Sequence, residues 1–328
     1  MLIYILLLLV GFGLLIYGAD VFVGGSVDIA RRFGVPSLVI GLTIVAIGTS
    51  APEVIISTMA SVRGFSEMAV GNVIGSNIFN MMFILGVCGI IYPFKLQLSG
   101  ISRDLWMCAI STLAFLGIVI SGQSHLTRMS SVLFVTAFLI YIATVTIKGL
   151  ESKGLESKGL KSPSQEGPKQ EDHKHEKPKR EDLNIAKALV KLVAGLVILI
   201  LGGQLVVENA TQVASAIGMT ERVISITIVA AGTSLPELVT CLIACKKGKS
   251  DIALGNIVGS SVLNILFVLG IAGTISPIPI SPGILYDLVA LMLATTLSII
   301  AIISRQRISR PESVVLVVAY VVYTVSLF

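Results

Sequence analysis

The sequence is poor in charge and in histidine, and it has no long stretches of alternating polarity. Asp, Glu, Lys and Arg make up 13% of its 328 residues, while 54% are hydrophobic and the mean hydropathy is +0.93. A soluble domain carries roughly 25% charged residues, so a water-soluble globular protein is excluded. Alternating ten-residue segments are lacking, which excludes an outer-membrane β-barrel. The first apolar run, "LIYILLLLVGFGLLIYG", lacks a basic leader and a small-x-small cleavage site, so it reads as a spanning helix and not a secretory signal. The four cysteines, Cys88, Cys108, Cys241 and Cys245, show no metal-type spacing with histidine. They fall within apolar runs and read as small packing residues, with no disulfide expected.

What the sequence does have is length of apolar run. About 20 residues cross ~30 Å of hydrocarbon as a helix, and ten such segments recur, near 2–24, 36–61, 68–92, 104–122, 129–148, 187–208, 222–245, 251–275, 284–303 and 312–328. The expected fold is an all-α integral membrane protein with ten transmembrane helices. The net charge of +5 is not a nucleic-acid signal, because of where the charges sit. With the N-terminus outside, one set of loops holds Arg31, Arg32, Lys95, Arg103, Lys246, Lys247, Lys249, Arg305, Arg307 and Arg310, and the opposite set only Arg63, Arg128 and Arg222. That bias puts the first set in the cytoplasm. Both termini are then extracytoplasmic, in a multi-pass protein of the cell membrane.

Residues 149–186 interrupt the pattern with "ESKGLESKGLKSPSQEGPKQEDHKHEKPKRED", rich in Lys, Glu, Gly, Pro and Ser. Such a segment buries too little apolar surface to offset its ordering entropy, and reads as a flexible cytoplasmic linker. His173 and His175 lie within it and read as part of a solvated polyampholyte rather than a metal site. The linker divides the chain into residues 1–148 and 187–328, five spans each. An odd number per half makes the second half enter the membrane from the opposite side. The halves are also duplicates: "TIVAIGTSAPE" (43–53) matches "TIVAAGTSLPE" (227–237) at nine of eleven positions, and "GNVIGSNIFN" (71–80) aligns with "GNIVGSSVLN" (255–264) at the same offset of 184. Two inverted five-helix repeats place a site at their interface, near mid-membrane.

Each half carries G-T-S-x-P-E: Gly48, Thr49, Ser50, Pro52 and Glu53, then Gly232, Thr233, Ser234, Pro236 and Glu237. Proline weakens a helix by removing a donor and crowding the carbonyl four residues back, and a broken helix is tolerated at membrane depth where it lines a polar cavity. Backbone carbonyls of Ala46, Thr49, Ala230 and Thr233 are candidate ligands there. An acid at the bilayer centre costs ~2.5 kcal/mol or more, so matched Glu53 and Glu237 ask for a functional explanation. Asp20 and Glu208 lie nearer span ends and read as boundary residues. The G-x-x-x-G at 71–75 and 255–259 is also a close-packing signal, and lone Thr or Ser residues also back-bond to their own helices. The converging groups are the two carboxylates, the hydroxyls of Thr49, Ser50, Thr233 and Ser234, and Ser76, Asn80, Ser260 and Asn264. All offer oxygen, which suits a hard cation such as Ca²⁺ and not Zn²⁺ or Cu²⁺. An intramembrane metalloenzyme would need a motif such as H-E-x-x-H, yet His125, the one histidine outside the linker, falls in an expected loop.

These paired motifs resemble the two alpha repeats of the sodium/calcium exchanger superfamily, and most closely its compact prokaryotic branch. The resemblance implies a secondary-active antiporter exchanging Ca²⁺ for Na⁺ by alternating access, with no cofactor and no enzymatic activity. It implies that Glu53 and Glu237 bind Ca²⁺ with the Thr49 and Thr233 carbonyls. Ala46, Ser50, Ser76, Asn80, Ala230, Ser234, Ser260 and Asn264 would complete Na⁺ positions. The near alternative is a proton-coupled calcium exchanger, whose motifs usually carry G-N-x-x-E instead. Many sodium-coupled members have Asp where this chain has Asn264, and the substitution leans against potassium dependence. The short central loop leaves no room for the Ca²⁺-sensing β domains of animal exchangers. The implied partners are Ca²⁺, Na⁺ and the lipid bilayer, and a monomer is compatible with all of this.

Overall fold

The computed structural model describes residues 2–95, 98–121, 125–157, 184–218, 230–280 and 283–327, and within them the chain is almost entirely helical. Helices α1 (Leu2–Phe33), α2 (Ser37–Thr49) and α3 (Ala51–Val62) come first. Next is α4, residues 66–91, whose middle, Phe79–Ile84, is π-helical; then α5 (Leu98–Ile120) and α6 (Arg128–Ser157). The second half contains α7 (Ile185–Ala216), a helical piece Ala230–Gly232, α8 (Leu235–Lys246) and α9 (Ser250–Ile275) with π-helical Asn264–Val268. It ends with α10 (Gly283–Arg305) and α11 (Arg310–Ser326). Long apolar runs become helices because hydrocarbon offers the backbone no other hydrogen-bond partner.

Among the described residues seven helices are long and apolar enough to cross a membrane, and α2 with α3 makes an eighth if that pair, bent by 47°, is one span. Of the ten expected spans, the one at 222–245 begins outside the described residues, and α11, at 17 residues, is shorter than the rest. Several helices outrun their apolar segments. The first continues to Phe33 through Asp28, Arg31 and Arg32, and stops only at Gly34, with φ +62°. The sixth continues past 148 to Ser157, into the segment read as linker (149–186); residues 158–183 lie outside the described residues, and α7 already begins at Ile185.

The centre is built from α4 and α9: 72% and 94% of their apolar windows are buried, against 22% and 28% for α1 and α7. Glycine permits the closest approaches. A Cβ on Gly255 would stand 2.6 Å from the Leu38 carbonyl and one on Gly259 2.7 Å from that of Leu42, so these two glycines of α9 seat it against α2. Outside this core α1 and α7 pack along each other, linked by Lys191 Nζ to Asp28 Oδ2 at 2.8 Å. Asp20 is exposed within α1, not at its end, and pairs with Lys247 at 3.0 Å, while Glu208 is exposed on α7.

Two antiparallel strand pairs join the halves. β1 (Phe94–Lys95) pairs with β4 (Arg307–Ile308), and β2 (His125–Leu126) with β3 (Ile278–Pro279). His125 therefore sits in a short strand between α5 and α6. All four cysteines are buried and free.

Candidate cation site

Each duplicated G-T-S-x-P-E segment breaks its helix in the same way. In the first half the helix stops at Thr49, Ser50 takes φ −84° and ψ 9°, and α3 starts with Pro52 in its first turn. In the second half Ser234 takes φ −94° and ψ 8° ahead of α8, again with proline in the first turn. Because proline has no N–H, the carbonyls four residues back, Gly48 and Gly232, lose their helical donor. The Ala46 carbonyl accepts the Ser50 N–H at 3.1 Å, which uses one of its two lone pairs.

The breaks face each other, and the two halves exchange hydrogen bonds across them. Ser50 Oγ donates to Glu237 Oε1 at 2.9 Å, and Ser234 Oγ donates to Glu53 Oε1 at 3.1 Å. Each serine thus holds the other half's glutamate. Ser260 Oγ lies 2.9 Å from Ser50 Oγ. Both glutamates, both serines of the breaks, Thr49, Ser76, Asn80, Ser260 and Asn264 are buried, as is Thr233. Ala230 lies in the short helical piece before the second break.

Several of these oxygens have no hydrogen bond from the described protein: Glu53 Oε2, Glu237 Oε2, Ser76 Oγ, Asn80 Oδ1 and Asn264 Oδ1. A buried carboxylate oxygen or amide carbonyl without a donor is costly, by ~1–3 kcal/mol or more for a charged group. Four of the five are carboxylate or amide oxygens, whose negative or partial negative charge a cation would compensate. The π-helical turns contribute directly: Asn80 lies in that of α4 and Asn264 opens that of α9. Such turns widen a helix and shift its side chains, and they concentrate at functional sites.

A surrounding layer was missed in the sequence. Asn72 Nδ2 donates to Ser57 Oγ at 2.9 Å, and at the duplicate positions Asn256 Nδ2 donates to Cys241 Sγ at 3.3 Å. Asn256 Oδ1 in turn accepts the Thr49 hydroxyl at 3.0 Å, which engages that hydroxyl with the second half. Cys241 therefore does more than pack. The signal was available, since Asn72 and Asn256 are the N of the repeated G-N-x-x-G. Asn77, bonded to Asn264 at 3.0 Å, has no duplicate, because position 261 is serine.

With this geometry in hand, likeness to known proteins is informative. The family model for sodium/calcium exchanger protein matches residues 3–147 and 187–328, on both sides of the central segment. The putative antiporter CaxA of Alkalimonas amylolytica is 37% identical over all of this chain and 99% of its own length. The sodium/calcium exchanger MaX1 of Methanosarcina acetivorans is 35% identical over 98% of each chain. Among solved structures, the sodium-calcium exchanger NCX_Mj superposes over all of both chains with a TM-score of 0.81 at 28% identity. Such coverage of both duplicated halves by one family model shows that this multi-pass membrane protein belongs to the sodium/calcium exchanger family.

Proposed function

We propose that the protein is a secondary-active antiporter that exchanges Ca²⁺ for Na⁺, by alternating access around Glu53 and Glu237. The observation that carries this reading is the set of buried oxygens with no hydrogen bond from the described residues, two of them carboxylate, contributed by both halves. Ca²⁺ takes six to eight oxygens in a flexible shell, and two carboxylates balance its charge. Glu53 and Glu237, with the Thr49 and Thr233 carbonyls, are the Ca²⁺ ligands of this proposal. Na⁺ ions use Ala46, Ser50, Ser76, Asn80, Ala230, Ser234, Ser260 and Asn264. Ca²⁺ and Na⁺ are close in size, so one oxygen cage serves each in turn, and exchange keeps the acids compensated at membrane depth. The names of MaX1 and NCX_Mj support the same pair of ions.

The architecture proposed is ten spans in two inverted five-helix repeats in the cell membrane, with the segment between α6 and α7 as a cytoplasmic tether. The strand pairs support inversion. The end of α4 leads into β1 and the start of α5, whereas the end of α9 leads into β3, which pairs with β2 beyond the far end of α5. Duplicate helices α4 and α9 therefore finish at opposite ends of α5.

Ca²⁺ flux in proteoliposomes under separately imposed Na⁺, K⁺ and H⁺ gradients tests the coupling. Uptake driven by an outward Na⁺ gradient alone is expected. Uptake driven by H⁺, with Na⁺ inert, replaces sodium coupling by the proton-exchanger reading.

A further inference from the structure

Asn77 is buried on α4, one turn before Asn80. Its Nδ2 donates to the backbone carbonyl of Ser261 on α9 at 3.1 Å, and its Oδ1 accepts from Asn264 Nδ2 at 3.0 Å. A backbone carbonyl only accepts. Asn77 must therefore turn its NH2 toward Ser261, which leaves its oxygen facing Asn264. Asn264 must answer with its own NH2, and its oxygen is turned away from Asn77; that oxygen is the buried Oδ1 with no hydrogen bond from the described residues. The polarity of two side-chain amides is thus dictated by one main-chain oxygen.

We propose that Asn77 is a positioning residue that locks Asn264 with its carbonyl oxygen toward the ions, making position 264 a neutral cation ligand; this rests on the exchange site described above. With the amide reversed, Asn264 would present an NH2, whose partial positive charge repels a cation. The device is one-sided. Position 261, the duplicate of 77, is serine, and its hydroxyl donates to Ile257 O on its own helix at 2.8 Å. The effect therefore belongs to the ion held by Asn264, a Na⁺ position, more than to the Glu53 and Glu237 pair.

The test is radioactive Ca²⁺ binding to the purified full chain in detergent, with and without competing Na⁺, for the wild type, Asn77→Leu and the milder Asn77→Ser. One hydrogen bond of ~1.4 kcal/mol corresponds to about tenfold in affinity. Both variants should raise the Na⁺ concentration for half-displacement about tenfold, while Ca²⁺ affinity in Na⁺-free buffer stays within about twofold. In an Asn264→Ala background, Asn77→Leu should add nothing, because the residue acts through Asn264. An unchanged Na⁺ midpoint, a parallel fall of both affinities, or additive losses in the double variant would each overturn the proposal. Absence of Ca²⁺ binding by the wild type, with Glu53→Gln indistinguishable from it, rejects the underlying site reading instead.

Discussion

At the scale of single residues, the site pairs each carboxylate with a serine from the other half, and its second oxygen has no hydrogen bond from the described residues. Glu53→Gln and Glu237→Gln keep the shape and remove the charge. Breaking a buried ion pair by deleting one partner costs ~3–5 kcal/mol, on the order of 10²–10³-fold in affinity. Each variant should therefore lose Ca²⁺ binding to that extent while inserting and purifying normally, and the two should be about equal; equilibrium Ca²⁺ binding decides it, and near-normal affinity in either refutes a two-carboxylate site. The next layer behaves differently. Cys241→Ser copies the Ser57 and Asn72 arrangement of the first half, where the hydroxyl is 2.9 Å from the amide, so binding should be retained. Asn256→Leu removes the Thr49 hydroxyl's partner in the second half, leaving only the Val45 carbonyl of its own helix, and should weaken Ca²⁺ roughly tenfold or more, as loss of outer-layer support typically does. The meeting of the two acids at the facing breaks was legible because duplicated acids inside apolar runs have few structural uses. The outer layer was not, since nothing in a sequence says which hydroxyl or thiol an asparagine will meet across 15 positions, as Asn256 meets Cys241.

At the scale of elements, helix existence was readable and helix length was not. Hydropathy marks the part of a helix that sits in hydrocarbon, whereas α1 and α7, at 32 residues each, continue for as long as their backbones find partners. Neither could the π-helical turns be read, because a run that is apolar nearly all round has no polar stripe whose register an extra residue would shift. What the glycines do became visible only in the packing. A Cβ on Gly18 would stand 2.5 Å from Leu199 N, inside the α1–α7 contact, whereas one on Gly13 meets nothing within 4 Å. Overpacking typically costs ~1–3 kcal/mol, while alanine in an open helix position gains up to ~1 kcal/mol over glycine. Gly18→Ala should accordingly lower the melting temperature in detergent, and Gly13→Ala should leave it unchanged or raise it. Equal behaviour of the two variants would mean that the α1–α7 contact is looser than the backbone distances require.

At the scale of the whole molecule, the question is which loops share a face of the membrane. Hydrogen bonding groups them without reference to charge: the loop after α4 pairs with the loop after α10, and the loop after α5 with the loop after α9. These two groups are separated by α5, whose 23 residues span ~35 Å at 1.5 Å each, about the thickness of a bilayer. The count of basic residues makes the same grouping independently, with Lys95, Arg305, Arg307 and Arg310 in one set of loops and Arg128 in the other. Pairing and charge agree in supporting the proposal that β1 and β4 lie on the cytoplasmic face. The native cysteines are buried, so single introduced cysteines can be read against a low background with a membrane-impermeant maleimide. Arg307→Cys should label only from the cytoplasmic side and His125→Cys only from outside, both positions being exposed. The proposed inversion adds a sharper demand. Arg63 ends the first broken helix and its duplicate is Lys247, which pairs with Asp20, so Lys246 is the better probe beside it. Arg63→Cys should label from outside and Lys246→Cys from the cytoplasm, although Lys246 adjoins the position that duplicates Arg63 in sequence. Labelling of both from the same side would leave the duplicated motifs parallel, and the facing of the two helix breaks at Ser50 and Ser234 would then need a different topology.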